Sequence, residues 1–133
     1  MKTKKREAIA AALRELGLRP TVDEEGNVRF TYEMKTLYAL TGDEEEPYVV
    51  LLLPQFHTVG EEELSACLVA SNKLTRELRL AKVFVDEQMR HVSALCDFLY
   101  HDEATLKEAL RRSARALAVV GSLFRRTMLE LGE

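Results

Sequence analysis

Glu24-Glu25-Gly26-Asn27-Val28-Arg29-Phe30-Thr31-Tyr32-Glu33-Met34 is the stretch on which the fold turns. It opens as a turn, because Gly26 and Asn27 tolerate the left-handed backbone that hairpin loops need. It then alternates, with Val28, Phe30, Tyr32 and Met34 on one face and Arg29, Thr31 and Glu33 on the other. Strict alternation marks a strand buried on one side only. Residues 36–41 read as its hairpin partner, Leu37 and Ala39 alternating with Tyr38 and Leu40. Upstream, Arg19-Pro20-Thr21-Val22-Asp23 reads as a short edge strand, since Pro20 has no donor to give a ladder.

Working outward, Gly42-Asp43-Glu44-Glu45-Glu46-Pro47 is an acidic loop, and Tyr48-Val49-Val50-Leu51-Leu52-Leu53 follows between Pro47 and Pro54. A continuous apolar run marks a strand covered on both faces. One layer of helices covers one face, so the second face needs another cover. Thr58 and Glu61 have the spacing of a capping box before a helix over residues 61–78. Its inward stripe is Leu64, Cys67, Leu68, Ser71, Leu74 and Leu78. Residues 81–86 form a short strand, 88–90 a turn, and 91–100 a long strand. Val92, Ala94, Cys96, Phe98 and Tyr100 share one face of that strand, and Leu95 and Leu99 make its other face apolar as well. Helical spacing of Ile9, Ala12, Leu13 and Leu16 sets the first helix over 3–16, with Gly17 as its stop. Asp102 caps a final helix whose stripe of Leu106, Leu110, Ala114, Leu117, Gly121, Phe124 and Met128 runs on to Leu131.

The element order is therefore α-β-β-β-β-α-β-β-α. Strands that come in hairpins, rather than alternating with helices, predict an α+β fold: an antiparallel sheet with helices packed on one face. With 133 residues and no repeat or linker, the chain reads as one domain over 1–133.

Composition narrows the function. Apolar residues are 47% and charged residues 31%, a globular balance. A net charge of −3 supplies no global basic field for nucleic acid or anionic lipid. The charge is uneven: residues 21–70 carry eleven acids against two bases, while both flanking segments are mildly basic. The basic start, Met1 to Arg6, imitates a signal peptide, but the apolar run after it is broken at Arg14. No stretch approaches the ~20 apolar residues of a membrane span. A cytoplasmic protein is expected, and the two cysteines, Cys67 and Cys96, are expected as buried free thiols.

No catalytic signature emerges. Cys67 and Cys96 belong to no CxxC and have no His pair nearby, so neither a disulfide framework nor a zinc site is expected. Among the histidines, His91 and His101 bracket one strand and stand about 30 Å apart, and His57 falls in a loop after Phe56. Glu44–Glu46 and Glu61–Glu63 read as solvated charge. The serines lack nucleophile contexts, and the glycines lack a phosphate-cradling arrangement. Neither a cofactor nor a metal is expected, and no catalytic residue is assigned. The positive signal is the apolar second face of the sheet, since a large exposed apolar patch marks an interface. The alternative is that Pro54 and Phe56 fold over it.

The chain resembles the YbjN type of bacterial sensory-transduction regulators, which share the fold of type III secretion chaperones. The resemblance rests on Val22-Asp23-Glu24-Glu25-Gly26-Asn27-Val28-Arg29-Phe30, on Glu46-Pro47-Tyr48 with Leu51-Leu52-Leu53-Pro54, and on Ala70-Ser71-Asn72-Lys73 closing a helix. It continues through Lys82-Val83-Phe84-Val85-Asp86 and Cys96-Asp97-Phe98-Leu99-Tyr100. It implies an α+β domain that pairs into dimers and binds proteins, with no catalytic residues to carry over. Asn72 matches the helix-end asparagine of that family, and its role is structural. Such chaperones are commonly acidic, which suits the middle of this chain; the basic terminal helices depart from them.

The first expectation is therefore a non-catalytic protein-binding or regulatory module, homodimeric through the second sheet face, with Leu51, Leu53, Leu95 and Leu99 as the interface candidates. It could also bind a different protein. A small-ligand domain using the open face, with Asp97, Tyr38 and His91 as its polar groups, is the second. Nucleic-acid binding through Arg111, Arg112, Arg115, Arg125 and Arg126 of the final helix ranks third. Glu108 is placed to pair with Arg111 or Arg112, and Glu130 with Arg126.

Overall fold

The computed structural model describes residues 2–132. The elements are α1 (Lys2–Glu15), β1 (Thr21–Val22), β2 (Val28–Tyr32), β3 (Lys35–Leu40), β4 (Tyr48–Thr58), α2 (Leu64–Glu77), β5 (Lys82–Val85), β6 (His91–Leu99), α3 (Glu103–Ala118) and α4 (Val120–Leu131). The strands form one antiparallel sheet in the order β1-β2-β3-β4-β6-β5. The α+β architecture, with hairpin-linked strands and helices on one side, is the one expected.

The core lies on the helix side of the sheet. Val28, Phe30, Leu37, Ala39, Val49, Leu51, Val83, Val92, Ala94 and Cys96 point there and meet Ile9 and Leu13 of α1, Cys67 and Leu74 of α2, Leu110 and Leu117 of α3, and Phe124 of α4. Each helix end has a local cause. Gly17, at φ +86°, closes α1 in a Schellman motif: Leu18 N donates to Leu13 O and Gly17 N to Arg14 O. Asp102 and Thr105 cap α3 reciprocally, the Asp102 carboxylate accepting from Thr105 N at 2.7 Å and Thr105 Oγ1 from Asp102 N at 3.0 Å. Buried Lys5 ties α1 to the acidic loop, its Nζ donating to Asp43 O at 3.0 Å and its backbone N to the Glu44 carboxylate.

Several expectations are corrected. The β2 strand stops at Tyr32, and Glu33 and Met34 form the two-residue turn to β3 with φ of 47° and 69°. Met34 is consequently 96% exposed instead of inward. The apolar run does not end at Pro54: β4 continues to Thr58 through a bulge between Leu53 and His57. Pro54 is tolerated there because a bulge residue has no ladder bond to lose. Gln55, at φ 44°, gives its freed N–H to Ser93 Oγ at 2.8 Å. His57 is thus a strand residue opposite Val92, not a loop residue.

The box expected from Thr58 and Glu61 does not form, since Thr58 still belongs to the sheet and α2 starts after Glu63. Leu68 turns outward, 45% exposed, and Ala70 takes its place in the buried stripe. The final helix breaks at Val119 into α3 and α4. The break lets α3 lie beside α1 over the sheet while α4 crosses to α2. Thr75 of α2 closes the edge strand β5, its Oγ1 accepting from Val83 N at 2.8 Å and donating to Val83 O at 3.0 Å. The outward backbone groups of Val83 are thereby withheld from strand pairing at that edge.

Candidate functional site: the open face of the sheet

The register decides which residues the helices leave uncovered. One row runs straight across all six strands: Thr21, Arg29, Tyr38, Leu52, Leu95 and Lys82. The next row holds Leu40, Val50 and Asp97, and beyond it Tyr48 faces Leu99. The uncovered face is therefore apolar at its centre, at Leu40, Val50, Leu52 and Leu95, with charge at its flanks and at Asp97 of β6. Such a division, apolar centre and polar rim, is the anatomy of a protein–protein interface.

Of the four leucines expected on this face, the structure places two there. Leu95 is half-buried in the central row, and Leu99 is 73% exposed at the end of β6. Leu51 and Leu53 belong to the opposite face and are 0% and 5% exposed in the core. A one-residue difference in register moves every side chain of a strand to the other side. Leu51 pairs with Cys96, whereas Leu52 pairs with Leu95, so Val50 and Leu52 are the β4 members of the open face. An uninterrupted apolar run gives no alternation from which to read this. The pairing with β6 supplies it.

Phe56 does not fold over the open face. It turns to the helix side, its ring edge-on to Phe124 at 5.4 Å between centroids. The helices all contribute to the core on the other side.

The polar groups on the open face meet around one carboxylate. Asp97 Oδ2 accepts from the Tyr48 hydroxyl at 2.7 Å and from Lys82 Nζ at 3.0 Å. These bonds hold the Asp97 carboxyl below its ordinary range, with the Tyr48 hydrogen bond the largest cause. Asp97 in turn raises both the Tyr48 phenol and the Lys82 ammonium. Every shift reinforces the protonation state each group already has at neutral pH. Tyr38 lies in the central row but outside this cluster, and His91 pairs with Asp86 at 3.3 Å by the β5–β6 turn.

The structure also gathers a second group, not expected from spacing. The His57 ring, from the end of β4, lies 2.9 Å from Glu63 Oε1 through Nε2. Cys67, one helical turn further on, brings Sγ to 3.7 Å from the same oxygen. Backbone N–H of Gly60 also donates to it at 3.0 Å. These bonds hold the Glu63 carboxyl below its usual value, chiefly through Gly60. Burial pushes the Cys67 thiol up to about 11. Cys96 is likewise raised by burial to about 11, and both cysteines are free.

The arginines of the final helices are partly engaged. Arg111 binds Glu108 through Nε at 2.6 Å and Arg112 through Nε at 3.6 Å, as spacing suggested. Glu130 pairs instead with Lys73 of α2 at 3.7 Å, because α4 crosses that helix.

The geometry defines a class: a one-layer antiparallel sheet with helices on one side and an apolar sheet face left bare on the other. No family model matches the sequence, and no curated protein does. Solved structures do. YbjN from E. coli, described as a candidate transcription regulator, is similar over 94% of this chain and 92% of its own, with a TM-score of 0.66 and 7% identity. A chain of the ExsC–ExsE complex is similar over 95% and 94%, with a TM-score of 0.58 and 20% identity. The fold is therefore the YbjN-type one that the sequence resembles. No helix among the described residues is long and apolar enough to cross a membrane.

Proposed function

We propose that residues 1–133 form one non-catalytic protein-binding or regulatory module that pairs with a second copy through the open face of its sheet. The observation that carries this is the cross-sheet row Arg29, Tyr38, Leu52, Leu95 and Lys82, apolar at its centre and charged at its ends. Six strands at a spacing of about 4.8 Å make a face roughly 24 Å wide. That width suits the ~800 Å² per partner of a standard interface. A two-fold axis through the sheet would set Leu52 and Leu95 of each copy against those of the other. An isologous interface of this kind is self-complementary by symmetry. The structural likeness to a chain of the ExsC–ExsE complex supports the protein-binding part of this reading, because that fold is there seen with a different protein. Two buried free thiols agree with work in a reducing, cytoplasmic setting.

Sedimentation velocity on the wild type and on Leu95→Arg tests the pairing. The expected result is a dimer at about 50 µM for the wild type and a folded monomer for the variant, since a buried unpaired charge at the centre costs several kcal/mol. A monomeric wild type at that concentration, or a variant that still dimerises, overturns the interface.

A further inference from the structure

His57, Glu63 and Cys67 present one nitrogen, one oxygen and one sulfur to a common point, their ligating atoms all within 4.8 Å of one another. Ligands held about 2.0–2.3 Å from one zinc-like ion in tetrahedral array stand roughly 3.3–3.8 Å apart. The observed 3.7 Å for sulfur to oxygen falls within that range, and the 2.9 Å for nitrogen to oxygen lies a few tenths of an ångström below it. Few atoms need to move for an ion to replace the hydrogen bonds now converging on Glu63 Oε1.

The three donors sit on elements that hold them firmly. His57 is the penultimate residue of β4, just beyond the bulge, and its ring packs on Phe124 at 4.9 Å between centroids. Glu63 is the N-cap residue of α2, and Cys67 lies one turn into the helix with no exposed surface. A fourth side is open. His57 and Glu63 line a cavity of about 350 Å³ with Arg125, Met128 and Leu129 of α4. Arg125 borders that cavity, so the free position suits water or an anionic donor.

The geometry points to a binding site for one divalent, borderline-soft metal ion of the zinc class, ligated by His57 Nε2, Glu63 Oε1 and Cys67 Sγ with an exchangeable fourth ligand. Charge balances at the site: the ion brings two positive charges, the carboxylate and thiolate one negative charge each, and the thiol proton leaves to solvent. The mixed set selects among ions. Magnesium and calcium take all-oxygen shells and do not displace a thiol proton, whereas zinc and cobalt(II) do. A bound ion would clamp the end of β4 to the start of α2, linking the sheet to the helix that covers its β5 edge. This site is on the helix side and is independent of the open face.

The test uses the full chain, reduced and freed of metal with a chelator, then titrated with cobalt(II) and zinc. The expected result is one ion per chain with a near-ultraviolet sulfur-to-cobalt charge-transfer band, bleached as zinc replaces cobalt. Cys67→Ser removes the band, and Cys67→Ser and His57→Gln each weaken zinc by more than the about 10–100-fold that loss of an outer-shell partner alone brings. Cys96→Ser, whose thiol lies elsewhere in the core against Ser113 O, keeps both band and affinity. Zinc raises the melting temperature of the wild type and Cys96→Ser only. Circular dichroism confirms that each variant is folded; if Cys67→Ser is not, His57→Gln and Glu63→Gln decide by the same zinc titration. Absence of one-to-one binding tighter than about 10 µM overturns the site. So does a band that survives Cys67→Ser, or zinc affinity unchanged in the histidine and glutamate variants.

Discussion

Asp97 shows how a single residue on the open sheet face is kept charged. The carboxylate is depressed by Tyr48 and then by Lys82, and both partners are raised in return. The depressed carboxyl contributes stability that is present above the unfolded carboxyl value of about 3.9 and lost as pH falls through the folded one. The raised lysine and tyrosine contribute below their unfolded values, near 10, and lose that contribution as pH rises through the folded ones. The three together stabilise the sheet from about pH 4 to about pH 10. Urea midpoints measured against pH should therefore show the wild type above Asp97→Asn across that window. The gap should close below it, as the wild-type carboxyl takes up its proton. The same residue lay among the polar candidates read from the sequence, but its partners did not. Tyr48 and Lys82 are 49 and 15 residues away in the chain, and only strand pairing brings them to it.

Among the elements, the β2–β3 hairpin carries visible strain. Glu33 and Met34 both occupy the left-handed region in a two-residue turn between paired Tyr32 and Lys35. Primed turns of this type favour Asn-Gly, because a side chain in that region costs about 1 kcal/mol or more. Met34 has no compensating packing, being 96% exposed. Met34→Gly should raise stability by roughly 0.5–1 kcal/mol, the relief of strain outweighing the added freedom of the unfolded chain. Chemical denaturation at constant m-value measures it, and an unchanged or lower midpoint would show that the turn is unstrained. The alternation from Val28 onward predicted the strand and its face, but it also carried Met34 inward. Periodicity has no means of announcing where a ladder stops. The final helix poses the reverse problem: its apolar stripe runs unbroken past Val119, so the break between α3 and α4 reflects a change of packing partner from α1 to α2.

At the scale of the molecule, the two faces of β4 have separate tasks. Leu51 is wholly buried beneath the helices, whereas Leu52, its neighbour, looks out from the open side. Leu51→Ala should cost about 2–5 kcal/mol at any protein concentration, as core truncations do. Leu52→Ala should cost about 1 kcal/mol or less in the monomer and act chiefly on pairing. Melting temperatures taken over a range of concentrations separate the two. The wild-type value should rise with concentration and that of Leu52→Ala should rise less. Equal, concentration-independent losses at both positions would mean that both leucines serve the same core.

What the amino-acid order determined by itself was the list of elements and their kind. Turn residues such as Gly26 and Asn27, the alternation of Val28 to Tyr32, the stop at Gly17 and the cap at Asp102 act through neighbours in the chain, and local forces are written locally. The apolar surplus of Tyr48 to Leu53, more than one layer of helices could cover, was also legible. Which of those residues face outward was decided only when β4 paired with β6. The bulge at Pro54 and Gln55 and the meeting of His57, Glu63 and Cys67 were decided in the same way. In a strand that is apolar on both sides, either register buries similar surface along the strand itself. The choice therefore falls to the hydrogen-bonded partner and to the helices that can reach only one face.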